Sequence, residues 1–204
     1  MQRHTKNYTM VSAGKVRAIV DTTDTSPINV QVTGHGLATG DRVTINGHTT
    51  NVAANGTWTI TKVDANNFTL DGSTGSGAGA GGADGCVADF IKPILVEDFR
   101  HILIQLASDG GGDAAFVLKF VGSIQDECPD FAAARAVDNH FEYIMSVDKQ
   151  TTASVVAGDT GITWSSADDY RIFEINTNGL KWLSVLPTAG SAGEITIVAE
   201  TFDP

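Results

Sequence analysis

Apolar side chains in this chain recur at every second position along short runs, and almost nowhere at the spacing that builds the buried stripe of a helix. Alternation puts successive side chains on opposite faces of an extended strand. The chain is thereby confined to all-β architectures. Phe116, Leu118 and Phe120 share one face and Lys119 takes the other, while Ile195 and Ile197 do the same around Thr196. The same runs are rich in Val, Ile, Thr and aromatic residues, which fit a pleated surface. Only DFAAARAV, residues 130–137, has helix-forming composition, and one or two helical turns are expected there after Pro129.

Strand-like runs cover 15–21, 28–33, 41–46, 57–63 and 68–70, then 88–96, 101–107, 115–123, 141–147, 154–156, 170–175, 180–186 and 194–202. In the first group the turns are Gly34-His35-Gly36, Thr39-Gly40-Asp41 and Asn55-Gly56, the last a hairpin signal. About five short strands suit a small barrel, because closure removes the exposed edges of so small a sheet. About eight strands in the second group suit a two-sheet sandwich of jelly-roll type. Between them lies DGSTGSGAGAGGADG, residues 71–85, in which seven of 15 residues are glycine and none is large. It reads as a flexible loop or linker. A phosphate cradle is disfavoured, since no Lys-Ser/Thr follows and no helix opens there. The expected organisation is a basic N-terminal arm over 1–17, a small β-barrel over 18–70, a Gly-rich linker over 71–87 and a jelly-roll-like β-sandwich over 88–204.

Charge is unevenly placed. The chain has 13 Lys/Arg against 24 Asp/Glu, a net charge of −11. Residues 1–87 are neutral, so the whole excess belongs to residues 88–204. Such a body repels phosphate backbones, and no nucleic-acid partner is expected. No apolar run approaches the length of a membrane span, and MQRHTKNYTM lacks the apolar stretch of a secretory signal. Arg3, Lys6, Lys15 and Arg17 all precede the first acidic residue. They mark a candidate partner-binding arm, with an ordinary first strand as the plainer alternative.

The search for chemistry turns up no catalytic constellation, no cofactor fingerprint and no metal-ligand spacing. His4, His35, His48, His101 and His140 are scattered, and His35, between two glycines, suits a structural hydrogen bond. Cys86 and Cys128 could be bridged, but two buried free thiols are the favoured reading. Carboxylates pair at Glu97-Asp98, Asp126-Glu127 with Asp130, and Asp168-Asp169. Such pairs serve glycoside hydrolysis when they face each other across a cleft; so many acids in one module also cluster by number alone, on a solvated face. Asp109-Gly-Gly-Gly-Asp113 is a hairpin tip before it is a calcium loop. Trp58 and Trp182 sit inside strand patterns and belong to a core. Trp164 runs into the loop Ser165-Ser166-Ala167-Asp168, so Trp164 and Tyr170 are the candidate ligand-facing aromatics.

One stretch carries a more specific signal. His35-Gly36-Leu37, Thr39-Gly40-Asp41 and Val43 are followed by Ala53, Asn55-Gly56-Thr57-Trp58 and Ile60, then by Phe68, Leu70 and Asp71-Gly72-Ser73. This pattern resembles the small β-barrel domain named after the first catalytic-cysteine half-domain (FCCH) of ubiquitin-activating enzymes, a module also familiar from structural proteins of tailed bacteriophages and prophages. No adenylation module or ubiquitin-loading cysteine accompanies it, so that enzymatic activity is not implied. More weakly, IKPILVEDFRHILIQLAS, SIQDECPDF and NGLKWLSVLPTAGSAGEITIVAETFD are similar to β-sandwich domains of phage virion proteins. The resemblance implies a non-enzymatic virion structural protein made in the bacterial host cytoplasm. The leading expectation is a capsid decoration or cement protein that binds the major capsid protein and forms homo-oligomers, with a trimer as the first guess. The alternatives are a tail, neck or fibre component, then a carbohydrate-binding β-sandwich, then an enzyme.

Overall fold

A computed structural model describes residues 5–75, 85–108, 116–134, 139–151, 154–164, 170–190 and 193–202. Within them the chain forms 17 strands, one 3-10 turn at Val52–Ala54 and no α-helix. The first strands are β1 (Thr5–Ala18), β2 (Asp21–Thr22), β3 (Asn29–Gln31), β4 (Arg42–Asn46), β5 (Gly56–Lys62), β6 (Asn67–Leu70) and β7 (Cys86–Asp89). They are followed by β8 (Ile94–Leu95), β9 (His101–Ser108), β10 (Phe116–Ser123), β11 (Glu142–Ile144), β12 (Ser146–Asp148) and β13 (Ser154–Val156). Last come β14 (Ile162–Trp164), β15 (Tyr170–Asn176), β16 (Trp182–Gly190) and β17 (Gly193–Phe202).

The barrel expected from the first group is present and closes by an economical route. Strands pair in the order β7-β4-β5-β6-β3-β2. β7 also pairs with the end of β1, at Val16–Ala18, and β1 runs into β2 across Ile19 and Val20, whose N–H groups donate to Gly85 O and Gln31 O. The ring is therefore shut by one bent strand. Inside it Ile28, Val30, Val43, Ile45, Ile60, Phe68 and Leu70 are fully buried. The edge of the His35 ring packs on Phe68, centroids 5.2 Å apart.

The sandwich has the jelly-roll connectivity the strand count suggested. One sheet runs β13-β12-β15-β9-β17-β1-β7, and the other runs β11-β10-β16-β8, with β14 also on β10. From β8 onward the chain steps between them: β8 and β10 in one, β9 in the other, then β15, β16 and β17 in turn. Two predicted runs are split by these crossings. Residues 88–96 become β7 and β8 around Pro93, which has no N–H for a ladder, and 141–147 become β11 and β12 around Met145. Ile102, Ile104 and Leu106 of β9 meet Leu118 and Phe120 of β10, Phe173 and Ile175 of β15, and Ile195 and Ile197 of β17 in one core. Phe120 and Phe173 meet edge to face at 5.5 Å.

The boundary between the modules is where the structure departs most from the sequence reading. Residues 5–17 are not a free arm. They form most of β1, which lies between β17 and β7 in the middle of the largest sheet, with Thr5 opposite Phe202 and Val16 opposite Gly193. Register shifts between Thr9 and Gly14, with Ala13 at a φ of 51°, bend the strand so that one segment serves both modules. β7 is shared as well: Val87 points into the barrel core, and Cys86 and Ala88 point into the sandwich core. The barrel is thus inserted between two adjacent strands of the sandwich, and 71–87 returns the chain to that sheet. Residues 76–84 of the Gly-rich stretch lie outside the described residues, as do Arg3, Asp109–Asp113, Asp168-Asp169 and 135–137 of the expected helical turns. The described part of that segment, Asp130–Ala134, is a turn, because the Asp130 carboxylate accepts the Ala132 N–H and competes with helix formation.

Candidate functional site: the waist cleft and the outer sheet face

Of the four basic residues proposed to meet a partner, three are described. Lys6 lies at the Thr5 end of β1, its ammonium 4.9 Å from the Tyr8 ring centre. Lys15 and Arg17 lie at the other end, at the waist between barrel and sandwich. There they line a cleft of about 400 Å³ with Arg42, Asp41, Asp89 and the His35–Leu37 turn. The β1–β7–β4 order brings Arg17, Asp89 and Arg42 together. Arg17 Nη1 donates to Asp89 Oδ1 at 2.7 Å, and the Lys15 N–H donates to Asp89 Oδ2 at 3.0 Å. Asp41 accepts the Ala38 N–H at 2.8 Å. Both carboxylates are thus engaged in the wall. The exposed Lys15 side chain and the Arg42 guanidinium, which lies 3.9 Å over the Phe90 ring, face the cleft as its outward cations.

His35 forms the floor of this cleft as a structural residue. Its Nδ1 accepts the Leu37 N–H at 2.9 Å, so Nε2 carries the proton and donates to Asp64 O at 3.1 Å. His48 is held the same way by the Asn51 N–H on Nδ1, with Thr22 Oγ1 2.9 Å from Nε2. Nothing in the spacing of these histidines announced that second network.

The aromatic pair separates. Trp164 is 0% exposed and packs in the sandwich core, because Ile162–Trp164 form the strand β14, which pairs Trp164 with Phe116 of β10. Trp164 therefore cannot face a ligand. Tyr170 is 59% exposed at the start of β15. Next to it runs the outer face of the sheet. Ile172, Leu103 and Val198 line a shallow recess of about 290 Å³ there with Asn7, Thr9, Gln105 and Glu200. Val155, 58% exposed on the edge strand β13, is opposite Val147 and continues that face. None of these outer-face residues was singled out from the sequence, although a signal for two of them was present. In β9 and β15 both alternating registers are apolar at one point, Leu103 beside Ile102 and Ile104, and Ile172 beside Phe173. A sheet face that simply met water would not need the outward Leu and Ile.

Carboxylates gather at the far end of the sandwich. Lys181 Nζ sits 2.9 Å from Asp126 Oδ1 and 3.5 Å from Glu97 Oε2, so two of the sequence clusters meet around one lysine, with Asp98 and Glu127 exposed beside them. The hydrogen bond from Lys181 holds the Asp126 carboxyl below its usual range, and Asp126 in turn raises the lysine. Asp130 goes elsewhere: it accepts the Thr57 N–H and hydroxyl, tying the sandwich to the barrel.

Neither thiol is bridged; Cys86 is buried as expected, but Cys128 is exposed, in the loop after β10 rather than in a core. Burial pushes Cys86 up to about 12; burial and the Asp130 carboxylate push Cys128 up to about 11. Both remain thiols at neutral pH and are poor nucleophiles. Among the described residues no three His, Cys, Asp or Glu side chains converge as metal ligands. No helix among them is long and apolar enough to cross a membrane.

No protein-family model matches the chain, and no curated protein matches it in sequence. Two solved structures are similar in shape. One is the SPBc2 prophage-derived protein YomS, at a TM-score of 0.46 and 6% identity, covering 100% of this chain and 96% of that one. The other is the PBSX exported protein XepA, at a TM-score of 0.39 and 8% identity, covering 99% and 82%.

Proposed function

We propose that this chain is a non-enzymatic virion structural protein and, within that class, a capsid decoration protein that docks on the major capsid shell. The observation that carries the reading is the outer sheet face. Leu103, Ile172, Val198 and Val155 turn outward from a body whose two modules share β1 and β7. An apolar, shallow, polar-rimmed face on a rigid body suits protein docking better than enclosure of a small substrate. The sequence pattern from His35 to Ser73, which resembles the FCCH-like barrel of phage structural proteins, supports the virion class. The carbohydrate-binding alternative is weakened, since Trp164 is buried and Tyr170 is left as a lone ring.

Quantitative mass spectrometry of gradient-purified particles tests the reading. Copies in the hundreds per particle, falling sharply for Ile172→Glu, are expected of a decoration protein. A handful of copies would move the protein to the tail, neck or a fibre. Absence from particles would overturn the virion class.

A further inference from the structure

The two charged features of the molecule lie at opposite ends of one strand. β1 begins at Thr5, opposite Phe202, which is itself opposite His101; the Glu97-Asp98 loop leads into that position, and Lys181 joins Glu97 to Asp126, whose neighbour Glu127 is exposed. At the other end of β1 are Lys15, Arg17 and the waist cleft. Ten to twelve residues of strand separate them, roughly 30–40 Å at about 3.3 Å per residue. That is several screening lengths in physiological salt, about 8 Å each. Apart from Lys181, which pairs locally with Asp126 and Glu97, the acids at that end are thus out of reach of the waist cations of their own copy.

We propose that the waist cleft is a docking site for the acidic end of a second copy of this chain, so that copies associate head to tail. The cleft offers what a carboxylate-bearing loop needs. Its own two acids are engaged by Arg17, the Lys15 N–H and the Ala38 N–H, leaving Lys15 and Arg42 outward. The loop offers what the cleft lacks. Glu97 and Asp126 flank Lys181, and Asp98 and Glu127 are exposed next to them in sequence. Four acids thus stand against Lys181 and the exposed Arg100, and the Asp126 side chain is 98% exposed. The two surfaces differ, so the contact is heterologous. It closes into a ring if the rotation between copies allows, and otherwise grows as a filament; a ring of three would be the expected trimer. The inference holds whether or not the protein sits on a particle.

Sedimentation velocity on the full chain across a salt series tests it. Because the net charge of −11 makes copies repel, the direction of the salt effect is decisive. Association should weaken as salt rises if the local attraction dominates, and strengthen if it does not. Lys15→Glu with Arg42→Glu should lower the association constant at least about tenfold. Glu97→Lys with Asp126→Lys should do the same, and mixing the two variants should restore association. Both variants stay strongly acidic overall, so bulk attraction cannot mimic that rescue. All four side chains lie at the surface, and circular dichroism melts should stay near those of the unmodified chain. A chain that stays monomeric at low salt, associates more as salt rises, or is indifferent to the cleft variants would overturn the proposal.

Discussion

Asp148 shows how single side chains hold the sheets in register. It is 3% exposed on β12, and burial alone would raise its carboxyl. The hydrogen bond from Arg171 on the neighbouring β15 and the Gln150 N–H at 2.9 Å outweigh that and lower it. A lowered carboxyl contributes stability that is complete above its unfolded pKa and is lost as pH falls through the folded value. Chemical denaturation should therefore show stability steady at neutral pH and declining below about pH 4. Asp148→Asn should cost about 1.5–3 kcal/mol at pH 7 and flatten that decline. Trp164 makes the complementary case. Trp164→Ala should cost about 3–5 kcal/mol, as for other large core truncations. If it instead left the melting temperature unchanged while altering ligand binding, its burial would be refuted.

At the scale of elements, β1 carries the largest consequence. Removing residues 5–14 takes out the neighbour that β17 uses from Phe202 to Ile195. Such a truncation should abolish cooperative unfolding of the sandwich, as judged by tryptophan fluorescence in urea, rather than merely trim an appendage. The sequence hid this strand for a physical reason. Lys6, Asn7, Thr9 and Lys15 are polar because each is exposed to water, and charge near a terminus looks like an arm until its neighbours are known. Two register shifts lie between inward Met10 and Val16, and Val11 next to Met10 also packs on the core, so the alternation between them is broken. Strands whose alternation the sequence shows, such as β10 and β17, were readable within a residue or two. β14 was missed because Ile162-Thr163-Trp164 is too short to show a period. The outward Leu103 and Ile172 were passed over, although each marks a break in alternation. The waist cleft was not, because it gathers residues 15, 17, 42 and 89 through pairings that only the whole sheet determines.

The whole molecule is an insertion, a barrel threaded into a jelly roll at β1 and β7, and the seam is close. Asn46 Nδ2 donates to Pro187 O at 3.3 Å, and Asp130 reaches across to Thr57. Gly47 has a φ of 80°, and a Cβ there would lie 2.5 Å from Thr188 O. The antiparallel neighbours β1 and β17 bring Thr5 and Phe202 side by side at the end opposite the barrel. That arrangement sets how the protein responds to mechanical tension. A pull applied at Thr5 and Phe202 peels β1 from β17 one pair of hydrogen bonds at a time, which takes little force. A pull between the barrel and the far end of the sandwich runs along β1 and β7 and must slide many bonds at once. The molecule is soft when tugged at Thr5 and Phe202 and stiff along its long strand, which is the direction in which a contact from waist to acidic end would transmit strain.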